Sequence, residues 1–369
     1  MEGKRAALIS FTDRGGSLNL RLSRALTGEG YRCACYEKRG SGQEGSGESG
    51  LLRVEESVGR WTAGRFGDSD CLIFIGAMGI AVRSIAPCIR DKWTDPAVVV
   101  IDEAGQFAIS VLSGHAGGAN ELAVSASQIL GAVPVVTTAT DVNRRFAVDV
   151  FAVKNRLEIT DRTLAKEISA EILAGGRIGV FSDYPLKGPW PDELTPNRRQ
   201  AKNVRISRRI QGSLKEDTRD TGEGTDGPGT VLTLVPRVIH VGVGCRRGTP
   251  GQQLLGAVFQ VLSRYDCSPA AVAAVASIDL KQEEPGLLWL AEQLKTAFRT
   301  YSAGELARVE GIFEESDFVR SVTGVGNVCE RAAKRSVLET GQGVRMLCPR
   351  QVVCGVTVAL AEEAWKGIL

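Results

Sequence analysis

Short runs of consecutive apolar residues alternate along this chain with stretches whose apolar positions recur every three or four residues. The first pattern predicts buried strands and the second amphipathic helices. Ala6 to Phe11 reads as a strand, and Ser17 to Leu26 as a helix with Leu18, Leu22, Ala25 and Leu26 on one face. Tyr31 to Tyr36 is a second strand, and Cys71 to Ile75 a third, closed by Gly76. Ile80 to Ala86 predicts a helical turn or two, stopped by Pro87. Val98 to Ile101 and Phe107 to Leu112 are strands joined by a polar turn, Asp102 to Gln106. Gly117 to Leu130 predicts a helix, and Val133 to Thr137 another strand. Strands alternating with helices in this way predict an α/β layer architecture.

The pattern then loosens. Two helical stretches and one apolar strand, Ile178 to Phe181, follow Arg145. Pro185, Pro189, Pro191 and Pro196 are expected to break regular structure, and a basic run follows with Arg198, Arg199, Lys202, Arg205, Arg208 and Arg209. Arg39 to Gly50 and Gly212 to Thr230 are Gly-rich and polar, the second being the best inter-domain linker. Regular alternation resumes at Arg237 to Val243, a strand, with a helix from Gly251 to Leu262, a strand from Val272 to Ile278 and a helix from Leu287 to Phe298. Further helical segments lead to strands at Val344 to Leu347 and Val352 to Val358. The expected organisation is an N-terminal α/β domain over 1–145, a variable middle region with its linker over 146–235, and a C-terminal α/β domain over 236–369. Both domains are expected to be α/β with parallel or mixed sheets.

Composition narrows the function classes. At 369 residues, two or three domains are expected. The 45 basic and 43 acidic residues leave a net charge of +2, which argues against a nucleic-acid coat. The basic run has no aromatic residue for base stacking, so it reads as a solvated linker. No apolar run approaches the ~20 residues of a membrane span, and the amino-terminal apolar run is too short for a signal peptide. Nine Cys without a C-x-x-C pair read as free thiols of a cytoplasmic protein. Only two His, His115 and His240, are present, which leaves no basis for a His-rich metal site.

Three Gly-rich turns lie between an apolar strand and a helix. The first contains Gly76, Gly79 and Arg83; the second Ser113, Gly114, His115, Gly117, Gly118 and Asn120; the third Gly244, Cys245, Arg246, Arg247 and Thr249. Glycine lets a ligand approach backbone N–H groups, and helix N-termini attract anions. Arginine adds paired hydrogen bonds to carboxylates or phosphates. Each turn by itself reads equally well as a tight connection; the three together predict a polyanionic ligand. The third turn departs from the dinucleotide-binding glycine pattern, and no P-loop or nucleophile-elbow motif is present.

His115 can serve as acid or base near neutral pH, or as a capping or packing residue. Asp102 and Glu103 end a buried strand, where one of them would orient His115 or act as a base; the other reading is a turn-forming acidic pair. Asp141 is a weaker candidate of the same kind. Cys245 at a helix N-terminus is a candidate thiolate nucleophile ranked below His115. His240, inside an apolar strand, reads as structural.

The strings GAMGIAVRSIAP, VVVIDEAGQFAISVLSGHAGGANELA and PVVTTATD resemble the amino-terminal domain of the CbiG family, the cobalt-precorrin-5A hydrolases of anaerobic cobalamin biosynthesis. VGVGCRRGTP, ASIDLKQEEPGL and GVGNVCERAA resemble the family's carboxyl-terminal domain, which is related to CobE. The chain departs from the pattern at Arg331, where Pro is expected, and at Ser277, where Thr is expected. The resemblance implies opening of a δ-lactone on a cobalt-corrinoid and release of acetaldehyde. The substrate would be rimmed with carboxylates and would bring its own cobalt, so no resident cofactor is expected. His115 would be the acid or base, oriented by Glu103 or Asp102, with the Gly114, Gly117 and Gly118 N–H groups on the oxyanion or a side-chain carboxylate. Arg246 and Arg247 would hold peripheral carboxylates. The expected partner is this small molecule, with no nucleic acid and no membrane, and a homodimer is an allowed assembly. Competing readings are a non-catalytic corrinoid carrier, a nicotinamide-dependent oxidoreductase and a nucleic-acid binder.

Overall fold

The computed structural model describes residues 3–40, 50–91, 94–115, 117–138, 145–209 and 229–369. The Gly-rich loop over 41–49, Asp141, and most of the expected linker over 212–230 lie outside the described residues. The chain divides into two compact units, Met1–Arg145 and Phe146–Leu369. Among the described residues no helix is long and apolar enough to cross a membrane.

The first unit runs β1 (Arg5–Ser10), α1 (Asp13–Gly28), β2 (Arg32–Glu37), β3 (Leu52–Arg53), α2 (Val58–Phe66), β4 (Cys71–Ile75), α3 (Met78–Ile85), β5 (Ala97–Ile101), β6 (Phe107–Leu112), α4 (Ala119–Leu130) and β7 (Val133–Val135). Its sheet has the order β3-β2-β1-β4-β5-β6-β7. All neighbours are parallel except β5 and β6, which pair antiparallel. Strand alternation distributes the core between two faces. Ile73 and Ile75 pack with Leu22 and Leu26 of α1 and Leu122 of α4, while Leu72 and Phe74 pack with Trp61 of α2 and Ile85 of α3. Helix α1 begins earlier than its apolar face suggested, because the Thr12 hydroxyl caps the Gly15 N–H.

Among the described residues, the second unit contains two five-stranded sheets and one two-stranded sheet. Its first part comprises α5 (Val148–Lys154), β8 (Leu157–Ile159), α6 (Arg162–Leu173), β9 (Ile178–Ser182), β10 (Leu186–Lys187), β11 (Leu194–Pro196), β12 (Lys202–Ile206) and β13 (Thr230–Pro236). The sheet order is β11-β9-β12-β13-β8, parallel except for β8. Two expectations are corrected here. Pro196 does not prevent a strand, since it ends β11 on the sheet edge, where a missing N–H is tolerated. The basic run is not a solvated linker: it carries the interior strand β12, and Arg205 is only 4% exposed. Its guanidinium lies 3.7 Å from the Asp183 carboxylate, and Arg208 pairs with Glu362 at 2.9 Å. Charge pairing is what makes these buried positions tolerable.

The remainder runs β14 (Ile239–Gly244), α7 (Gly251–Arg264), β15 (Val272–Ile278), α8 (Pro285–Gln293), β16 (Ala297–Tyr301), α9 (Ala303–Ala307), α10 (Asp317–Thr323), α11 (Cys329–Leu338), β17 (Val344–Val353), β18 (Val356–Glu363) and β19 (Gly367–Ile368). The sheet order is β16-β15-β14-β18-β17. The single helix expected from Leu287 to Phe298 is two elements. It stops after Gln293, Lys295 takes a left-handed turn at φ 50°, and β16 begins at Ala297. The segment Val352 to Val358 likewise folds back on itself, with Cys354 and Gly355 both at positive φ, as a tight hairpin turn requires. The C-terminal β19 pairs with β10, and Asn155 holds Ile368 through both its N–H and its carbonyl, so the chain end ties the two sheets together.

Candidate active site

The turn holding His115 is built by close packing rather than by length. Ser113 adopts φ 55°, a left-handed conformation uncommon outside glycine, and its hydroxyl donates to the Asp95 carbonyl at 3.0 Å. A Cβ on Gly114 would lie 2.6 Å from Asn120 Oδ1, so only glycine lets the chain pass there. Asn120 is in turn held by its own N–H to the Gly114 carbonyl (3.0 Å) and by its amide to Thr138 Oγ1 (3.0 Å). Gly118, at φ 84°, starts α4. Its would-be Cβ position lies 3.9 Å from Lys4 Nζ, which places a cation beside the turn. The Gly118 N–H donates to the His115 carbonyl at 3.0 Å, so it closes the turn instead of waiting for an oxyanion.

The strand register separates groups that the sequence suggested as partners. Because β6 is antiparallel to β5, Ile101 pairs with Ala108 and Val98 with Leu112. Asp102 and Glu103 therefore sit at one edge of the sheet and Ser113 to His115 at the other, roughly 20 Å away by the rise of a strand. Neither carboxylate orients His115. Asp102 instead accepts the N–H groups of Ala104, Gln106 and Phe107 and fixes the turn between β5 and β6. Glu103 is exposed in that turn.

Gly76, Gly79 and Arg83 lie on the Asp102 edge as well, after β4, where the Gly76 N–H donates to the Ile101 carbonyl. Arg83 is exposed and its guanidinium bonds the Gly79 carbonyl at 3.3 Å. Thr12, Asp13 and Arg14 join them at the end of β1. Arg14 reaches the Ala104 carbonyl at 3.2 Å, and Asp13 pairs with Arg39 at 2.7 Å. This is the point at which strand order reverses between β1 and β4, a general location for ligands in such sheets. The string TDRGG after a first apolar strand was the available signal for these residues.

In the second unit, Gly244 to Thr249 connect β14 to α7. Thr249 closes the loop on the Arg246 carbonyl at 2.8 Å. The Gly248 N–H donates to Glu284 at 2.7 Å, and Lys281 pairs with the other carboxylate oxygen at 3.1 Å. Burial works to raise the Glu284 pKa, but these two donors outweigh it and hold the carboxyl below its usual range. Arg246 and Arg247 are exposed. Cys245 is half-buried, and burial raises its thiol pKa despite the nearby Lys281. The thiolate expected at this helix N-terminus is thus disfavoured.

The two departures from the family pattern have structural explanations. Ser277 is fully buried and donates to the Val243 carbonyl, a bond that Thr would also make. Arg331 lies in the first turn of α11, where Pro is tolerated because helix-start N–H groups need no partner. Its guanidinium bonds the Leu306 and Val309 carbonyls and Glu315, and stacks on Phe313. His240 is buried, with Nδ1 2.7 Å from Ser336 Oγ and Nε2 3.5 Å from Glu363, as a structural histidine would be. Among the described residues no three His, Cys, Asp or Glu side chains converge to hold a metal ion.

Comparison with known proteins covers all three regions. Residues 60–141 match the Cobalamin synthesis G N-terminal family, 146–217 the Cobalamin biosynthesis central region, and 239–361 the Cobalamin synthesis G C-terminus. The chain is 36% identical to a cobalt-precorrin-5A hydrolase of Salmonella typhimurium over 96% of both chains. It is 32% identical to one from Priestia megaterium, over 90% of this chain and 91% of that protein. A CobE protein of Sinorhizobium is 29% identical over 34% of this chain and 79% of its own. The chain belongs to the CbiG family of cobalamin synthesis proteins.

Proposed function

We propose that this chain is a cobalt-precorrin-5A hydrolase that opens the substrate's δ-lactone and releases a two-carbon fragment as acetaldehyde. The reading rests on family membership for the substrate and on the Ser113–Asn120 turn for the chemistry. Water adds to the lactone carbonyl as His115 takes its proton. The ring C–O bond then breaks, giving a carboxylate and an alcohol that receives the proton. Removing the alcohol proton again lets the oxygen become the aldehyde carbonyl while the C–C bond to the macrocycle breaks and its electron pair passes to the ring. Asp102 and Glu103 take no part in orienting the imidazole; the backbone of the turn, locked through Gly114, Asn120 and Thr138, does so. Lys4 and the Gly114 and Gly117 N–H groups supply positive potential for the developing oxyanion. Cobalt belongs to the substrate.

The test is an anaerobic incubation of the protein with cobalt-precorrin-5A, with acetaldehyde read by a coupled reductase. One equivalent of acetaldehyde per substrate is expected. A stoichiometric complex that yields none would point to a carrier instead.

A further inference from the structure

A cavity of about 1040 Å³ opens within the second unit, lined in part by the basic run that the sequence presented as a linker. Its floor is formed by Ser182 and Asp183, at and just past the end of β9, and by Arg205, Arg208 and Arg209, at and just past the end of β12. Its other wall is the start of β17 and the end of β18, with Arg345, Glu362, Glu363 and Lys366. Two features of this place point to a ligand. The chain leaves β9 to build β11 on one side and returns to build β12 on the other, so strand order reverses at the carboxyl ends of β9 and β12. Ligands in open α/β sheets gather at such points. The volume also lies at the upper end of the range for small-molecule pockets.

The lining is cationic. Five basic side chains, Arg205, Arg208, Arg209, Arg345 and Lys366, face three carboxylates, those of Asp183, Glu362 and Glu363, which leaves an excess of two positive charges. The carboxylates are shared. Glu362 accepts from Arg208 at 2.9 Å, from Arg345 at 3.0 Å and from Tyr184 at 2.9 Å. Asp183 accepts from Ser207 at 2.6 Å and lies 3.7 Å from Arg205 and 3.8 Å from Arg209. Burial favours a neutral Glu362, but the Arg345 and Arg208 contacts outweigh it and keep it ionised. Asp183 and Glu362 therefore each offset one charge while fixing two guanidiniums, Glu363 lies 3.5 Å from His240, and Arg208 also donates to the Tyr265 carbonyl and Cys267. Arg205 and Arg208 are 5% and 12% exposed at the side chain, a costly arrangement that a bound anion would offset. Tyr184 and Trp365, packed edge to face at 5.5 Å, give the same cavity an apolar surface.

We propose that this cavity is a binding site for a corrinoid polycarboxylate, with the arginines holding side-chain carboxylates and the aromatic pair contacting the ring. The identity of the ligand rests on the functional reading above; its negative charge rests on the cavity alone.

Calorimetry with cobyrinic acid, its amidated counterpart cobinamide, and citrate tests this. Wild-type protein is expected to bind cobyrinic acid at least ten-fold more tightly than cobinamide or citrate. Arg209→Glu with Lys366→Glu, both at the rim, should weaken cobyrinic acid binding at least ten-fold without lowering the unfolding temperature. Lys366→Gln alone should weaken it about three-fold, and carries the test if the double variant does not fold. Equal affinity in the variants would overturn the proposal, and citrate binding as tight as cobyrinic acid would reassign the cavity to small polycarboxylates. If wild-type protein binds cobyrinic acid through these residues but releases no acetaldehyde, the anion site stands and the hydrolase reading fails.

Discussion

Replacing Gly114 by Ala perturbs the His115 turn without touching His115. The new methyl would lie 2.6 Å from Asn120 Oδ1 and 3.1 Å from Nδ2, well inside the 3.5–4.0 Å of favourable packing contact. Asn120 is 8% exposed and tethered at both ends, so it cannot swing aside without losing its Thr138 bond. Leaving that buried amide unsatisfied costs about 1–3 kcal/mol. The alternative is displacement of the turn, and a shift of about 1 Å in a catalytic group costs on the order of 100-fold in rate. Gly114→Ala should therefore lose either stability or kcat on this scale, read by urea denaturation and by acetaldehyde release. Adding Asn120→Ala removes the obstructing atoms, so the double variant should be less impaired than the sum of the two single changes. Wild-type stability and rate in Gly114→Ala, or simple additivity, would refute the proposed role of this contact.

Three further outcomes follow from the second unit. Glu284→Gln should destabilise it by about 1.5–3 kcal/mol at neutral pH, the worth of hydrogen bonds to a charged group. The folded Glu284 pKa lies below the unfolded value of about 4.3, so its contribution is fully present above that pH and is lost as pH falls through the folded value. The gap between wild type and variant in urea denaturation should close below about pH 4; a gap independent of pH would contradict this. Alkylation by iodoacetamide, followed by mass spectrometry, should reach exposed Cys354 well before Cys245, whose thiol is held protonated by burial. Arg331→Ala should cost about 2–3 kcal/mol through its lost carbonyl, carboxylate and ring contacts, lowering Tm by roughly 5–10 °C in a calorimetric scan.

The first unit was legible in outline because its strands are buried on both faces and read as unbroken apolar runs, while the glycines mark the turns. What the sequence concealed was direction. The five residues between Ile101 and Phe107 make β5 and β6 a hairpin, and that reversal moves His115 to the edge opposite Asp102 and Glu103. No local pattern distinguishes this from a pair of neighbours at one edge. The middle region was illegible for a different reason. Strand β12 carries Lys202 and Arg205, which pair with Glu167 of α6 and Asp183 just past β9, both distant in sequence. A run of basic residues looks solvated until those partners are known. Strand β16 was lost because apolar residues continue across the helix end, and only the left-handed Lys295 separates the two elements. Glycine motifs marked the turns, but which of those turns share an edge was decided by the register.

The most direct measurement is acetaldehyde release from cobalt-precorrin-5A by three variants compared in one assay: His115→Ala, Asp102→Asn and Glu103→Gln. If the chemistry belongs to the Ser113–Asn120 turn, His115→Ala should lose on the order of 10²–10⁴ in kcat. Glu103→Gln should remain within a few-fold of wild type, and Asp102→Asn should change unfolding temperature more than rate. Wild-type turnover by His115→Ala, with activity lost in Glu103→Gln, would place the reaction at the opposite edge of the sheet.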